Sequence, residues 1–292
     1  MNWISWSLLS AFTASGVDVL SKFILKKNDP LTVAWLQYTL SFLCLLPFAL
    51  MMIPSFQCQP GFWFLITGLT VLDVLSSLIY LRALQLSPLS LTLPFLAFTP
   101  FFSIFTGNLF LGEHIGKSGM AGIFLISLGA YLLYVDSASR DILAPVKAVF
   151  REPGSRLMLL VSFLFSVSAA VGKKGIQLSS PQTMSFVYPF CIFLGFTFVY
   201  WTNSILKKAP MPSLKTTFSP LFLLLGGITA CSILIHFTAI SMTQTAYMIA
   251  IKRMSILIGV IGGFVCFKER FLWNRLLGTL VMLAGMAVIS LW

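Results

Sequence analysis

Charge is scarce in this chain. Of its 292 residues only 9% are charged, eight are acidic and two are histidines. Soluble domains carry about a quarter charged residues, so a water-soluble enzyme is excluded. The sequence also lacks polar low-complexity tracts, which argues against disorder. Instead it is 58% hydrophobic, contains 28 Phe and has a mean hydropathy of +0.95, and these values indicate an integral membrane protein.

Ten apolar segments are long enough to cross a bilayer, which takes roughly 20 apolar residues per helix. Short polar loops separate them, and the alternating ten-residue units of a membrane β-barrel are missing. The predicted fold class is therefore all-α integral membrane, with ten transmembrane helices. Their predicted ranges are 2–26, 31–53, 60–86, 89–111, 116–136, 155–179, 182–204, 217–243, 245–267 and 271–292.

The two halves of the chain are predicted to be copies of one another. Each half holds five helices, 1–136 and 155–292, joined by a cytoplasmic linker at 137–154. Because five is an odd number, the second copy enters the membrane from the opposite side, which gives an inverted repeat with a substrate site between the copies. A shift of 151 residues places Lys22 on Lys173 and Pro30 on Pro181, and a shift of 156 places Gly107, Glu113, Gly122 and Gly129 on Gly263, Glu269, Gly278 and Gly285.

Leu111-Gly112-Glu113 and Phe267-Lys268-Glu269 are each followed by glycines nine and sixteen residues after the Glu. This duplicated pattern resembles the signature of the EamA family in the drug/metabolite transporter superfamily. The resemblance implies a ten-helix bundle in which helices one, three, four, six, eight and nine surround a cavity, and helices five and ten pack peripherally. It also implies alternating access without ATP hydrolysis, and the sequence contains no GxxxxGK[ST] phosphate-binding loop.

The repeated acids and glycines are interpreted as structural. Glu113 and Glu269 lie just before the fifth and tenth helices, where a carboxylate complements the positive end of a helix. Glycines on these two helices allow the backbones to approach closely. The glycines concerned are Gly122, Gly129, Gly278 and Gly285.

Basic residues are distributed unevenly between the two sets of loops. Thirteen of the 19 fall on one face of the predicted bundle, one falls on the other, and five lie within helices. The positive-inside rule makes the crowded face cytoplasmic, so both termini are predicted to be outside. The expected location is the plasma (inner) membrane of a prokaryote, and the net charge of +11 therefore reflects topology and not nucleic-acid binding.

Two basic pairs are predicted to lie inside the membrane, where an ionisable group costs roughly 2.5–3.5 kcal/mol even on insertion scales. They are Lys252-Arg253 in the ninth helix and Lys173-Lys174 in the sixth. We expect them to bind a phosphate or carboxylate, because guanidinium and ammonium groups suit such anions. The first pair also resembles that of plant sugar-phosphate translocators. Pairing with buried acids, or extension of the side chains toward the surface, stays open as a structural alternative.

Other polar residues complete the predicted substrate site. Asp73, in the third helix, has three open interpretations: a proton acceptor, a partner of Arg253, or a hydrogen-bond acceptor from a neighbouring helix. His236 either titrates or is a neutral hydrogen-bonded residue. The aromatic candidates for the cavity wall are Tyr80, Tyr188 and Tyr247.

The predicted function is secondary-active transport of a small polar, anionic metabolite by alternating access. Export of amino acids or drugs and lipid flipping are the alternatives, and a membrane-embedded enzyme is disfavoured because no catalytic constellation is present. The expected partners are a small-molecule substrate, membrane lipids and protons as a candidate coupling ion. Neither cofactor nor metal is expected, and the chain is expected to be a monomer or homodimer.

Overall fold

The computed structural model describes residues 2–52, 58–86, 93–132, 152–207, 219–257 and 273–291. These residues form ten α-helices of at least eight residues, a 3-10 helix and no strand. In chain order the α-helices are α1 (Trp3–Leu25), α2 (Pro30–Met52), α3 (Phe62–Leu86), α4 (Thr99–Leu111), α5 (Lys117–Leu132), α6 (Pro153–Gln177), α7 (Pro181–Lys207), α8 (Pro220–Ser241), α9 (Thr245–Lys252) and α10 (Trp273–Ser290), and the 3-10 helix is Leu93–Phe98.

Proline and a capping side chain start equivalent helices in the two halves. Asp29 accepts hydrogen bonds from the backbone N–H groups of Leu31 and Thr32 at the start of α2. Ser180 accepts one from the backbone N–H of Thr183 at the start of α7. Proline at the first helical position costs no hydrogen bond, because that N–H has no partner within the helix. The local rules that start α2 therefore also start α7, as expected of a duplication.

The outer surface of the bundle is apolar. Phe64, Leu109 and Phe124 are more than half exposed, whereas serines such as Ser41, Ser76 and Ser162 are buried. An exposed apolar surface of this extent requires a lipid environment. Six helices, α1, α2, α3, α6, α7 and α8, are long and apolar enough to span a membrane. The protein is therefore an all-helical, multi-pass membrane protein, and the full count of ten spans stays a prediction.

The packing of the helices follows one exchange rule. α3 packs against α6, and α1 packs against α8; α4 packs against α6, and α1 packs against α9. α2 packs against α8, and α3 against α7. Within each of these three pairs of contacts, replacing every helix by the one five places away in the chain converts one contact into the other. The remaining large contacts, α2 with α7, α4 with α9 and α5 with α10, map onto themselves. This pattern supports the predicted repeat, whose inverted orientation stays a prediction.

The fourth and ninth predicted helices are interrupted. The segment predicted as one helix over 89–111 begins, in its described part, as the 3-10 helix and becomes α-helical at Thr99. Pro100, at the start of α4, has no N–H for the ladder, which explains this break. The segment predicted over 245–267 leaves the α-helix at Lys252, and Met254 then donates an i→i+3 bond to Ile251 at 2.9 Å. No proline or glycine marks this second break.

Glycines bring α5 and α10 into backbone contact. A Cβ atom on Gly122 would lie 2.9 Å from the carbonyl oxygen of Gly285, and one on Gly129 would lie 2.6 Å from that of Gly278. Real Cβ atoms rarely approach backbone atoms so closely, so larger residues would separate the helices. The glycine spacing noted in the sequence thus corresponds to a close crossing of the two halves.

Gly129→Ala is expected to lower stability by about 1–3 kcal/mol, because the added methyl group overpacks this crossing. Gly68→Ala is the matched control, since a Cβ on this exposed helical glycine of α3 meets nothing within 4 Å. That control is expected to stabilise α3 by about 0.5–1 kcal/mol. Thermal unfolding of the purified variants in detergent measures both effects, and equal midpoints for the two variants would contradict the close crossing.

Candidate functional site

A cavity of about 260 Å³ lies between the two halves. Residues from α1, α3, α4, α6, α8 and α9 line it, as the family resemblance implies. α2 and α7 also contribute, through Gln37, Tyr38 and Tyr188. Within the described part of the chain, no side chain of α5 or α10 lines the cavity. The cavity therefore sits where the exchange-related helices meet, with the glycine crossing to one side.

The structure brings six of the nine predicted substrate-site residues to the cavity wall. Lys173, Lys174 and Tyr247 are not among the lining residues. The six that line the cavity are Asp73, Tyr80, Tyr188, His236, Lys252 and Arg253.

Lys252 and Arg253 face the cavity from the interruption that follows α9. Lys252 Nζ lies 3.3 Å from His236 Nδ1, and because an ammonium only donates, this contact requires an unprotonated Nδ1. Arg253 Nη2 donates to Thr99 Oγ1 at 2.9 Å. No described carboxylate forms an ion pair with either cation, and the buried Arg253 Nε has no hydrogen-bond partner. The site therefore holds positive charge and an unused donor.

The two acids of the cavity have different environments. Asp18, on α1, accepts a hydrogen bond from Tyr80 Oη at 3.1 Å and interacts with the charges of Lys252 and Arg253. Asp73, on α3, is only 5% exposed and accepts from Tyr188 Oη at 2.9 Å. Ser168, on α6, also hydrogen-bonds this carboxylate. Asp18 therefore belongs to the cationic end of the cavity, and Asp73 marks a separate polar region.

Lys173 belongs to a partly buried ion pair outside the cavity lining. Its Nζ contacts Glu113 Oε1 and the carbonyl oxygen of Thr243, both at 2.5 Å. Glu113 Oε2 accepts from the backbone N–H of Thr245, the first residue of α9, at 2.9 Å. Glu113 therefore caps α9, whereas the sequence assigned it to the fifth helix. The ion pair we call the Glu113–Lys173 pair thus joins the first half of the chain to the second.

Glycines explain why Glu113 reaches across to α9. Gly112 has a φ of 66°, a left-handed conformation that ends α4 and turns the chain away from its axis. A Cβ on Gly107 would lie 2.7 Å from Glu113 Oε2, so only glycine leaves room for the carboxylate. The repeated Gly and Glu of the sequence signature therefore form one local structure. Glu269, the second copy of the acid, lies outside the described residues.

Two further predicted site residues lie elsewhere. Tyr247 stacks on Trp3 with ring centroids 6.3 Å apart and packs closely over Gly119 of α5. Lys174 lies in the last turn of α6, where a cation complements the negative end of the helix. Across the described ranges, no three His, Cys, Asp or Glu side chains come together as metal ligands.

Comparisons with known proteins agree with this architecture. Residues 1–135 match the model of the EamA-like transporter family, which confirms the resemblance. No curated protein matches the sequence. A solved structure titled only "Crystal structure of protein" is similar, with a TM-score of 0.73 and 14% identity over 99% of this chain and 95% of that one. At this identity the similarity shows a shared fold and nothing more.

The Glu113–Lys173 pair makes a non-additive stability prediction. Lys173→Met leaves a partly buried carboxylate without its cation and is expected to cost about 1–3 kcal/mol. Adding Glu113→Gln removes the unpaired charge, while the amide oxygen can still cap Thr245. The double variant is therefore expected to be more stable than Lys173→Met alone. Thermal unfolding of the two single variants and the double variant measures this coupling, and strictly additive losses would show that no such pair forms.

Proposed function

We propose that this membrane transporter, whose first 135 residues match the EamA-like transporter family, carries a small anionic metabolite through the cavity between its halves. The expected substrates bear a phosphate or carboxylate. A cavity of about 260 Å³ lies just below the roughly 300–1,000 Å³ of pockets for drug-sized ligands. The size therefore favours a compact metabolite over a larger drug.

One observation carries this proposal. Lys252 and Arg253 lie in an apolar bundle, face its cavity and form no ion pair with a described carboxylate. Charges inside the bundle are costly unless they are paired, so an anion that binds here would supply the missing partner of the two cations. Arg253 uses Nη2 for Thr99, and a guanidinium has five N–H donors, so it keeps donors for carboxylate or phosphate oxygens.

The mechanism we propose is alternating access, with the Glu113–Lys173 pair closing one end of the cavity. Gly172, the neighbour of Lys173, lines the cavity, and so does Ile249, one turn from Thr245 on α9. The pair lies just beyond these residues, with side chains only 10% and 13% exposed. Because it joins α6 and α9 to the end of α4, opening that end requires the pair to break.

The anion site predicts a loss of transport in specific variants. In proteoliposomes, homoexchange of labelled inorganic phosphate, glycerol 3-phosphate or pyruvate is expected for the wild type. Arg253→Lys is expected to slow exchange of the accepted anion at least about tenfold, since lysine lacks the two-donor fork. Lys252→Met removes a cation and is expected to have an effect of similar size.

Lys117→Met is the matched control, because Lys117 is exposed at the start of α5 and away from the cavity. It is expected to exchange anions at the wild-type rate. Unchanged anion exchange in both cavity variants would refute the role of the two cations. A wild-type protein that transports only neutral or cationic solutes would refute the anionic substrate class.

The closing role of the Glu113–Lys173 pair predicts a change in access. In a cysteine-free background, Ser168→Cys places a thiol on the cavity wall. The double change Glu113→Gln and Lys173→Met is expected to raise labelling of this thiol by a membrane-impermeant reagent several-fold from one side only. The Gly68→Ala background serves as control. Equal labelling rates with and without the pair would mean that it does not close the cavity.

A further inference from the structure

We infer that the substrate is bipolar, with its anionic group at Lys252 and Arg253 and a donor group, an ammonium in the best case, at Asp73. This inference rests on the proposed anion site and deepens it. It names a second subsite, formed by Asp73, Tyr188 and Phe237, where the protein supplies a negative charge.

Asp73 is a buried carboxylate whose charge is unbalanced by any described cation. It is 5% exposed, lines the cavity and forms no ion pair within the described part of the chain. Tyr188 Oη donates to Oδ2, and the Ser168 hydroxyl lies beside the same carboxylate. A carboxylate has about four acceptor sites, so these neighbours leave acceptor capacity toward the cavity. A ligand donor would fill it.

The wall around Asp73 favours an ammonium over a neutral donor. The Tyr188 and Phe237 rings pack edge to face with centroids 5.3 Å apart, and both line the cavity. Tyr38 lines it as well and stacks on Phe196 at 5.2 Å. Aromatic rings attract cations, and the attraction is larger where the cation is desolvated. A carboxylate set among aromatic rings is therefore suited to an alkylammonium group.

The charges of the cavity as a whole fit a molecule with separated charges. The Asp, Lys and Arg side chains that line it are Asp18, Asp73, Lys252 and Arg253, two acids and two bases, and His236 lines it as well. Asp18 interacts electrostatically with both cations, whereas the hydrogen-bond partners of Asp73 are Tyr188 on α7 and Ser168 on α6. A ligand that carries both an anion and an ammonium group therefore has a partner for each in this cavity.

Phosphoethanolamine is the probe for this arrangement, with ethyl phosphate as the same anion lacking the ammonium. Thermal shift and proteoliposome exchange are expected to show at least about tenfold preference for phosphoethanolamine in the wild type. Asp73→Asn is expected to abolish this preference. Tyr188→Phe, which keeps the ring and removes one hydrogen bond to Asp73, is expected to reduce the preference partially.

Thr67→Ala is the control, because Thr67 lies on the exposed face of the same helix and bonds only within it. It is expected to keep the wild-type preference. A wild type that binds both probes equally, or an Asp73→Asn variant that keeps the preference, would overturn the second subsite alone. Binding of neither probe would count against the anion site as well.

The same chemistry occurs in a lipid headgroup, so a second assay separates the two sources. Flipping of fluorescent phosphatidylethanolamine in vesicles is measured beside exchange of free phosphoethanolamine. Exchange without flipping supports a soluble bipolar metabolite. Flipping that Asp73→Asn abolishes supports a headgroup at the same subsite, and flipping that ignores this variant argues against it.

Discussion

The cost of placing charge inside a membrane governs the organisation of this protein. Each ionisable side chain within the bundle needs a partner, a water-filled space or a ligand. Lys173 has its partner in Glu113, and that carboxylate also accepts from the first N–H group of α9. Lys252 and Arg253 have a cavity instead. The two basic pairs of the second half are therefore accommodated differently. One supplies the lysine of an ion pair, and the other faces a cavity that suits binding.

Backbone polarity obeys the same constraint. A broken helix at membrane depth exposes N–H and C=O groups, and such breaks are tolerated only where they line a cavity or are covered by protein. The break before α4 brings Thr99 to the cavity, and the break after α9 brings Lys252, Arg253 and Ser255. Under the 156-residue shift Thr99 corresponds to Ser255. The two irregular segments therefore occupy equivalent positions in the predicted repeat, and both bring polar groups to the same cavity.

Much of the fold could be predicted because it follows from local rules. Apolar runs and proline starts predict the helices, and α6 begins at Pro153, two residues before the predicted start. Glycine spacing predicts the close contact of α5 with α10. The interruption after Lys252 could not be predicted, because no proline or glycine marks it and it depends on tertiary contacts.

The site was harder to predict than the fold. Burial within the membrane identifies Lys252 and Lys173 equally, since hydropathy does not say which way a side chain points. The difference between them is made by Glu113, sixty residues away in sequence from Lys173, and by His236 beside Lys252. Tyr247 fails as a wall residue for a similar reason, because Trp3 and Gly119 hold it on the far side of α9. Such pairings depend on packing between the halves.

The predicted duplication also accounts for a cavity whose helices correspond in pairs while its charges do not. Under the two shifts, Asp73 corresponds to Thr229, Asp18 to Ala169 and Lys252 to Leu96, and all six of these residues line the cavity. The backbone frame is therefore shared, whereas each charge occurs in one copy only. A pseudo-symmetric cavity with matching walls would bind a ligand equally well in two orientations. Divergence of the charged positions removes this equivalence, so the proposed bipolar substrate would bind in one orientation.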